Sequence, residues 1–242
     1  MEQEVTEQVN ALVSNIEKIV FGKHEVVRLC VTGLLARGHI LIEDVPGIGK
    51  TTIAHSIARS IDCKFTRIQF TSDMLPSDIL GVTVLDSKTD EFVFRRGPIF
   101  ASVVLADEVN RTPPKTQSAL MEAMSEYQIS IDGQTYPLPE PFMVLATQNP
   151  VEYEGTYVLP ESQLDRFLLR VEMGYPPAED ELRILRRRDG LHAIHELKPV
   201  LTGDQLVALQ ERAREVIVED SVARYLLDII QGTRSHEQIQ LG

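Results

Sequence analysis

The sequence predicts an α/β fold: a parallel sheet with helices on both faces, followed by a smaller all-helical region. Three observations predict it. Five short apolar runs alternate with helical stretches between residues 40 and 173, as strands buried on both faces of a parallel sheet do. The first run passes through a glycine-rich loop straight into a helical pattern, IEDVPGIGKTT at 42–52. Beyond Pro176-Pro177 the apolar spacing is helical only.

Residues 5–36 predict two helices broken at Phe21-Gly22. Leu12, Ile16 and Ile19 share one face of the first, and Val26, Val27, Val31 and Leu34 share one face of the second. Strands follow at ILI (40–42), FTRIQF (65–70), SVVLA (102–106), FMVLAT (142–147) and FLLRVEM (167–173). Residues 71–100 interrupt the rhythm with Pro76, Gly81, Gly97 and Pro98 among short alternating runs. Asp132-Gly133, set between alternating runs at 128–141, predicts a hairpin. Thr112 and Pro113 predict a cap and first-turn proline, with Ala119, Leu120, Ala123 and Met124 on the core face of the helix they open. Helices are expected at 178–190, 203–217 and 220–231, with Leu206, Leu209 and Ala213 on one face and Val222, Leu226 and Ile229 on another. Three helices are few to close a core of their own, so this region reads as an incomplete domain.

Composition narrows the function classes. With 242 residues and 43% apolar content the chain can bury a real core. A net charge of -12 disfavours non-specific binding to nucleic acid or anionic membranes. No apolar run approaches the ~20 residues of a membrane helix. The opening MEQEVTEQVN is acidic and polar, unlike a signal peptide, which predicts a cytoplasmic location. Cys30 and Cys63 both sit in apolar helical settings and read as small hydrophobes, and the six scattered histidines suggest no zinc site.

The loop at 42–52 is suited to phosphate. Backbone N–H groups near Gly47 and Gly49, with the following helix N-terminus, can hold anionic oxygens. Lys50 adds a point charge for β- and γ-phosphates, and the Thr51 hydroxyl is a Mg²⁺ ligand. Pro46-Gly47 sets the turn. The usual pattern has glycine at position 44, where this chain has Asp44. A carboxylate there cannot ligate phosphate and is expected to point away.

SVVLADE (102–108) is a buried strand ending in two acids. The C-terminal edge of a parallel strand faces the crevice where such sheets bind ligands. Asp107 fits a Mg²⁺-associated acid, and Glu108 is placed to polarise an attacking water. Asn149, closing the fourth strand in LATQNP, either orients that water or serves as a turn residue. Thr147, two residues earlier, is expected by strand alternation to face elsewhere. Arg166 in LPESQLDRF either stabilises a transferred phosphoryl group from a neighbouring subunit or pairs with Asp165 or Glu161. Arg95, Arg96 and Arg111 lie near the acids in sequence, with Arg111 ranked first.

Together these elements resemble the AAA+ ATPases, and more closely the MoxR family. The matching stretches include VFGKHEVV (20–27), LIEDVPGIGKT (41–51), GPIFASVVLADEVNRTPPKTQSALMEAM (97–124) and FMVLATQNPVEYEGTYVLPESQLDRF (142–167). The resemblance implies a parallel-sheet P-loop core of AAA+ type over 1–175, with inserts at about 71–96 and 129–141, and a helical lid over 176–242. It implies ATP and Mg²⁺ as cofactors, Lys50 and Thr51 as the Walker A pair, and Asp107 and Glu108 as the Walker B pair. Pro46, Gly47, Ile48, Gly49 and Thr52 complete the loop, and Val20 to Gly22 lie against the adenine. Asn149 matches the first sensor and Arg166 the arginine finger. The family's second sensor arginine is absent from this sequence, so the chain is expected to be a fragment with an incomplete lid, the alternative being a protein that lacks a complete lid. Such proteins are homo-hexameric, chaperone-like remodelling ATPases that often work with von Willebrand factor A domain proteins. The alternatives are a metal-chelatase motor subunit; a nucleic-acid motor, disfavoured by the charge; and a non-hydrolysing nucleotide-gated scaffold, disfavoured by Glu108.

Overall fold

The computed structural model describes residues 2–44, 47–149, 156–186 and 192–239. Helices α1 (Glu2–Glu17) and α2 (His24–Leu35) lead into strand β1 (Ile40–Glu43), and α3 (Lys50–Ser60) follows the glycine loop. Next come β2 (Phe65–Gln69), α4 (Pro76–Leu80), the hairpin β3 (Gly81–Asp86) and β4 (Glu91–Arg96), and β5 (Val103–Asp107). After α5 (Pro114–Glu126), the hairpin β6 (Gln128–Ile131) and β7 (Gln134–Pro137) precedes β8 (Met143–Gln148), α6 (Glu161–Leu164) and β9 (Leu169–Val171). The chain continues through α7 (Ala178–Arg186), α8 (His192–Glu196), α9 (Gly203–Arg214) and α10 (Asp220–Ser235).

The five main strands form one sheet in the order β2-β5-β8-β1-β9, and every pairing is parallel. Strand alternation divides its side chains between two cores. Ile40, Ile42, Val103, Leu105, Met143 and Leu145 pack against α1, α2 and α3. Leu41, Val104, Ala106, Val144 and Ala146 pack on the other face with Leu120, Ala123 and Met124 of α5. That double burial is why β1, β5 and β8 read as unbroken apolar runs. The C-terminal edges of these strands carry the loop after β1 and the acids after β5.

Both departures from the main sheet are antiparallel hairpins, β3-β4 and β6-β7. Asp132 and Gly133 turn the second with φ of 52° and 76°, the positive pair that a two-residue hairpin turn requires. α5 starts one residue later than the sequence pattern suggests. Pro113 is its N-cap at ψ 153°, and Pro114 is its first helical residue, because a residue preceding proline is pushed out of helical geometry. Thr112 instead ends the 3₁₀ turn Val109–Arg111.

The chain forms two compact units, residues 1–210 and 211–242. Within the first, Ala193, Ile194 and Leu197 pack on Ile19, while Leu201, Leu206 and Leu209 join the core beneath α1 to α3. The short α8 was not expected, and α9 ends at Arg214 rather than 217. The expected helix at 178–190 is seen to Arg186, and its remainder lies outside the described residues. Ala213 is exposed, unlike Leu206 and Leu209. In the second unit α10 presents Val222, Leu226 and Ile229 at 50%, 50% and 47% exposure. Among the described residues no helix is long and apolar enough to cross a membrane.

Candidate nucleotide site

β1 ends at Glu43, and the chain turns through Gly47 and Gly49 into α3. Both glycines have positive φ, 88° and 97°, and Gly49 is the N-cap. A Cβ at Gly47 would meet nothing within 4 Å, so glycine is needed there for backbone conformation and not for space. The turn leaves the first amides of α3 without intrahelical acceptors. Lys50 Nζ donates to the Asp44 carbonyl at 2.6 Å. Desolvation pushes the Lys50 pKa down, against the raising effect of Asp107, Asp44 and Glu108. The Asp44 carboxylate points away from the loop, where it accepts the Gly174 N–H at 2.5 Å.

Asp107 is the last residue of β5. Its Oδ1 accepts the Thr147 hydroxyl at 2.6 Å, and its Oδ2 accepts Arg67 Nη2 at 2.6 Å and Nε at 3.1 Å. Glu108 takes a left-handed conformation, φ 60° and ψ 50°. Its Oε2 accepts Gln69 Nε2 at 2.8 Å and pairs with Arg111 Nε at 3.1 Å, while its N–H donates to Thr147 Oγ1 at 2.9 Å. Thr147 therefore faces the acids, contrary to the alternation argument. It lies near the end of β8, beside the last residue of β5, where its hydroxyl reaches both acid residues.

Two neighbouring cavities share Gly47 and Gly49. The smaller, about 300 Å³, is lined by Gly47, Gly49, Lys50, Thr51, Asp107, Glu108 and Asn149, together with Arg67 and Gln69. The phosphate-loop lysine and the two acids, distant in sequence, thus meet around one space. The larger, about 650 Å³, is mainly apolar, with Val20, Ile48, Thr52 and Met173 in its walls and Glu181, Ile184 and Leu185 of α7 closing it.

The remaining expected residues divide. Gly22 does not line the larger cavity. At φ +67° it lets α7 approach, since a Cβ there would meet Asp180 Oδ2 and Pro177 Cδ at 2.8 Å each. Pro46 lies outside the described residues. Arg166 follows α6, is exposed, lines neither cavity and pairs with neither Asp165 nor Glu161. Arg95 and Arg96 lie on the hairpin strand β4, and the Arg96 guanidinium sits over the Phe100 ring at 5.1 Å instead of reaching the acids. Sequence reading missed Arg67 and Gln69. Their signal was present, because they occupy alternate positions of β2 and so share one face beside β5. Lys23, also missed, lines the larger cavity and donates to the Met173 and Gly174 carbonyls at 2.7 and 2.8 Å.

The pattern of the ATPase family associated with various cellular activities matches residues 39–169, over half of the chain. YeaC of Bacillus subtilis is 50% identical over 230 residues, 95% of this chain and 72% of YeaC. The chaperone MoxR1 of Mycobacterium tuberculosis is 41% identical over 227 residues, and the match spans 60% of its length. MoxR of Methylorubrum extorquens is 34% identical over 166 residues, 66% of this chain and 48% of that protein. A crystal structure of a candidate ATPase from Cytophaga hutchinsonii superposes with a TM-score of 0.87 at 38% identity, covering 96% of this chain and 72% of that one. By fold, site and these likenesses, the chain belongs to the ATPase family associated with various cellular activities, the AAA+ ATPases, and is similar within it to the MoxR proteins.

Proposed function

We infer that this chain hydrolyses ATP to ADP and phosphate with Mg²⁺, and that the cycle drives chaperone-like remodelling of a partner protein. One observation carries the hydrolysis: Lys50, Thr51, Asp107, Glu108 and Asn149 line a single cavity that opens beside an apolar one. The base fits the larger space against Val20, Ile48 and Met173, and the phosphates run across Gly47 and Gly49 to Lys50. Thr51 and Asp107 offer the hard oxygen donors that Mg²⁺ takes alongside phosphate and water. When bound, that ion neutralises charge developing on the phosphate oxygens. Glu108 accepts a hydrogen bond from the attacking water and directs it in line, and Asn149 fixes that water's orientation. Glu108 exchanges its hydrogen bonds from Gln69 and Arg111 for the water as the site becomes competent.

Exposed Arg166 suits a neighbouring subunit's active site, as in a homo-hexameric ring. A von Willebrand factor A domain protein is the partner class the family likeness suggests. Helix α7, which begins just past residue 176, acts in this scheme as a lid over the base. The net charge of -12 favours a protein client over nucleic acid, and MoxR1 carries the name chaperone. Phosphate release from ATP, measured with and without Mg²⁺, tests the hydrolysis. Turnover should need the ion and fall at least 100-fold in Glu108→Gln, with ATP binding retained. Equal turnover in Glu108→Gln refutes the assignment of Glu108. A pull-down with Glu108→Gln held in ATP tests the remodelling, and recovery of no protein beyond the chain itself argues against it.

A further inference from the structure

Asp44 occupies the position where a phosphate loop usually has glycine, and all three of its polar groups are engaged. Its N–H donates to the Gln148 carbonyl at 3.3 Å, next to Asn149. Its carbonyl accepts Lys50 Nζ at 2.6 Å, and its carboxylate accepts the Gly174 N–H at 2.5 Å. Glycine at 44 would keep the first two bonds and lose the carboxylate, and with it the third bond and the negative charge beside Lys23 and Lys50. That third bond leaves the loop and reaches the connection from β9 to α7. Gly174 has φ +59° and lies between Met173 and Tyr175, both in the wall of the larger cavity. Lys23, only 7% exposed, holds the same connection from the other side through the Met173 and Gly174 carbonyls. The connection is thus gripped by an acid from the phosphate loop and a base from the start of α2.

We propose that Asp44 is a positioning residue that ties occupancy of the phosphate loop to the placement of the Met173–Tyr175 connection and of the α7 wall behind it, with Lys23 as the third corner. The proposal rests on the nucleotide reading above. Lys50 donates to the Asp44 carbonyl in this structure, and the same ammonium serves the phosphates. Its transfer from carbonyl to phosphate frees the Asp44 peptide, and the carboxylate carries that change to Gly174. Glu181, Ile184 and Leu185 of α7 stand directly downstream and close the cavity around the base.

Amide hydrogen exchange across 173–186 in the full chain, with ADP and Mg²⁺ as the probe, tests this. In the wild-type chain, ADP should slow exchange throughout that segment. Asp44→Gly should raise exchange at Gly174 about tenfold or more without nucleotide. It should still bind ADP in a fluorescence titration, but 175–186 should no longer respond. Asp44→Asn, whose amide oxygen still accepts from Gly174, should recover most of the response. A general structural weakening would raise exchange without separating ADP binding from the α7 response. An Asp44→Gly chain that binds ADP and shows wild-type protection over 175–186 overturns the proposal. Should that variant not fold, Lys23→Gln reads the same linkage from the other corner: a lost response supports it and an intact one refutes it. A wild-type chain that binds no ADP overturns the nucleotide reading and the linkage together, and the titration reveals that before any variant is compared.

Discussion

Thr147→Val is the sharpest probe of how the acids are held. Thr147 is wholly buried, at 0% exposure, between Asp107 and Glu108. Its hydroxyl donates to Asp107 Oδ1 at 2.6 Å and accepts the Glu108 N–H at 2.9 Å. Valine keeps the shape and removes both bonds. A hydrogen bond to an ionised group contributes ~1.5–3 kcal/mol, and a buried donor left unpaired costs ~1–3 kcal/mol. Relaxation of the turn after β5 recovers part of that sum, so a stability loss of about 2–4 kcal/mol is expected, read as a lower urea midpoint. Turnover responds to the fraction that misplaces the carboxylates. At ~1.4 kcal/mol per tenfold, a loss of ~1.4–3 kcal/mol of transition-state placement lowers kcat about 10–100-fold. KM for ATP should change little, because Lys50 and the loop are untouched. Thr147→Ser keeps the hydroxyl and should restore most of kcat. Phosphate release and urea titration on the three proteins decide it. Wild-type kcat in Thr147→Val, or a serine variant as impaired as the valine one, refutes the claim that this hydroxyl positions both acids.

Lys50→Ala should weaken ATP binding at least tenfold by removing a partly desolvated charge from the phosphate cradle; unchanged affinity by fluorescence titration would remove it from the site. Arg166→Ala should bind ATP normally but lose turnover that depends on assembly. Mixing it with Glu108→Gln subunits should restore activity if the guanidinium acts across subunits, and no restoration argues against that role. His39 is 4% exposed, its Nε2 bonded to the Met124 carbonyl and its Nδ1 accepting the Val144 N–H, and burial pushes its pKa down to about 4. Between pH 6.5 and about 4 the unfolded chain binds the proton that folded His39 refuses, so stability falls as pH falls through that window. The limiting loss is about 3 kcal/mol. His39→Gln, which donates and accepts but does not titrate, should flatten that part of the denaturation profile; an unchanged slope would show that His39 is not its source.

The central architecture was legible because burial on both faces writes itself into sequence. ILI, SVVLA and FMVLAT need no partner information to be read as inner strands of a parallel sheet. The loop residues were legible for a similar reason: Gly47, Gly49 and Lys50 act through local backbone geometry. What stayed hidden depends on register. Whether Thr147 meets Asp107 depends on β8 lying next to β5, a fact carried by neither strand alone. Arg67 and Gln69 reach the acids because β2 flanks the other side of β5. Gly22 shows the converse: an adenine contact was expected from family likeness, while its backbone serves the close approach of Pro177 and Asp180. The exposure of Val222, Leu226 and Ile229 could not be read from periodicity, because amphipathic spacing defines an apolar face without naming what it packs on.

The adjacency of Asp107 and Glu108 poses a geometric problem that the backbone solves. Successive residues of a strand point to opposite faces, so on a regular β5 one acid would enter the cavity and the other would be turned toward the buried face. Glu108 leaves the strand in a left-handed conformation, φ 60° and ψ 50°, and both carboxylates then line the same space. A residue with a Cβ spends about 1–2 kcal/mol there. Glycine would remove that strain but also the carboxylate. The conformation is held instead by the Glu108 N–H on Thr147, the Arg111 N–H on the Glu108 carbonyl at 2.9 Å, and the Gln69 and Arg111 side chains on its Oε2. Two of those contacts grip the backbone and two grip the carboxylate. The backbone pair can persist while the carboxylate pair is exchanged for a water, which lets Glu108 change partners during turnover without losing the turn that presents it.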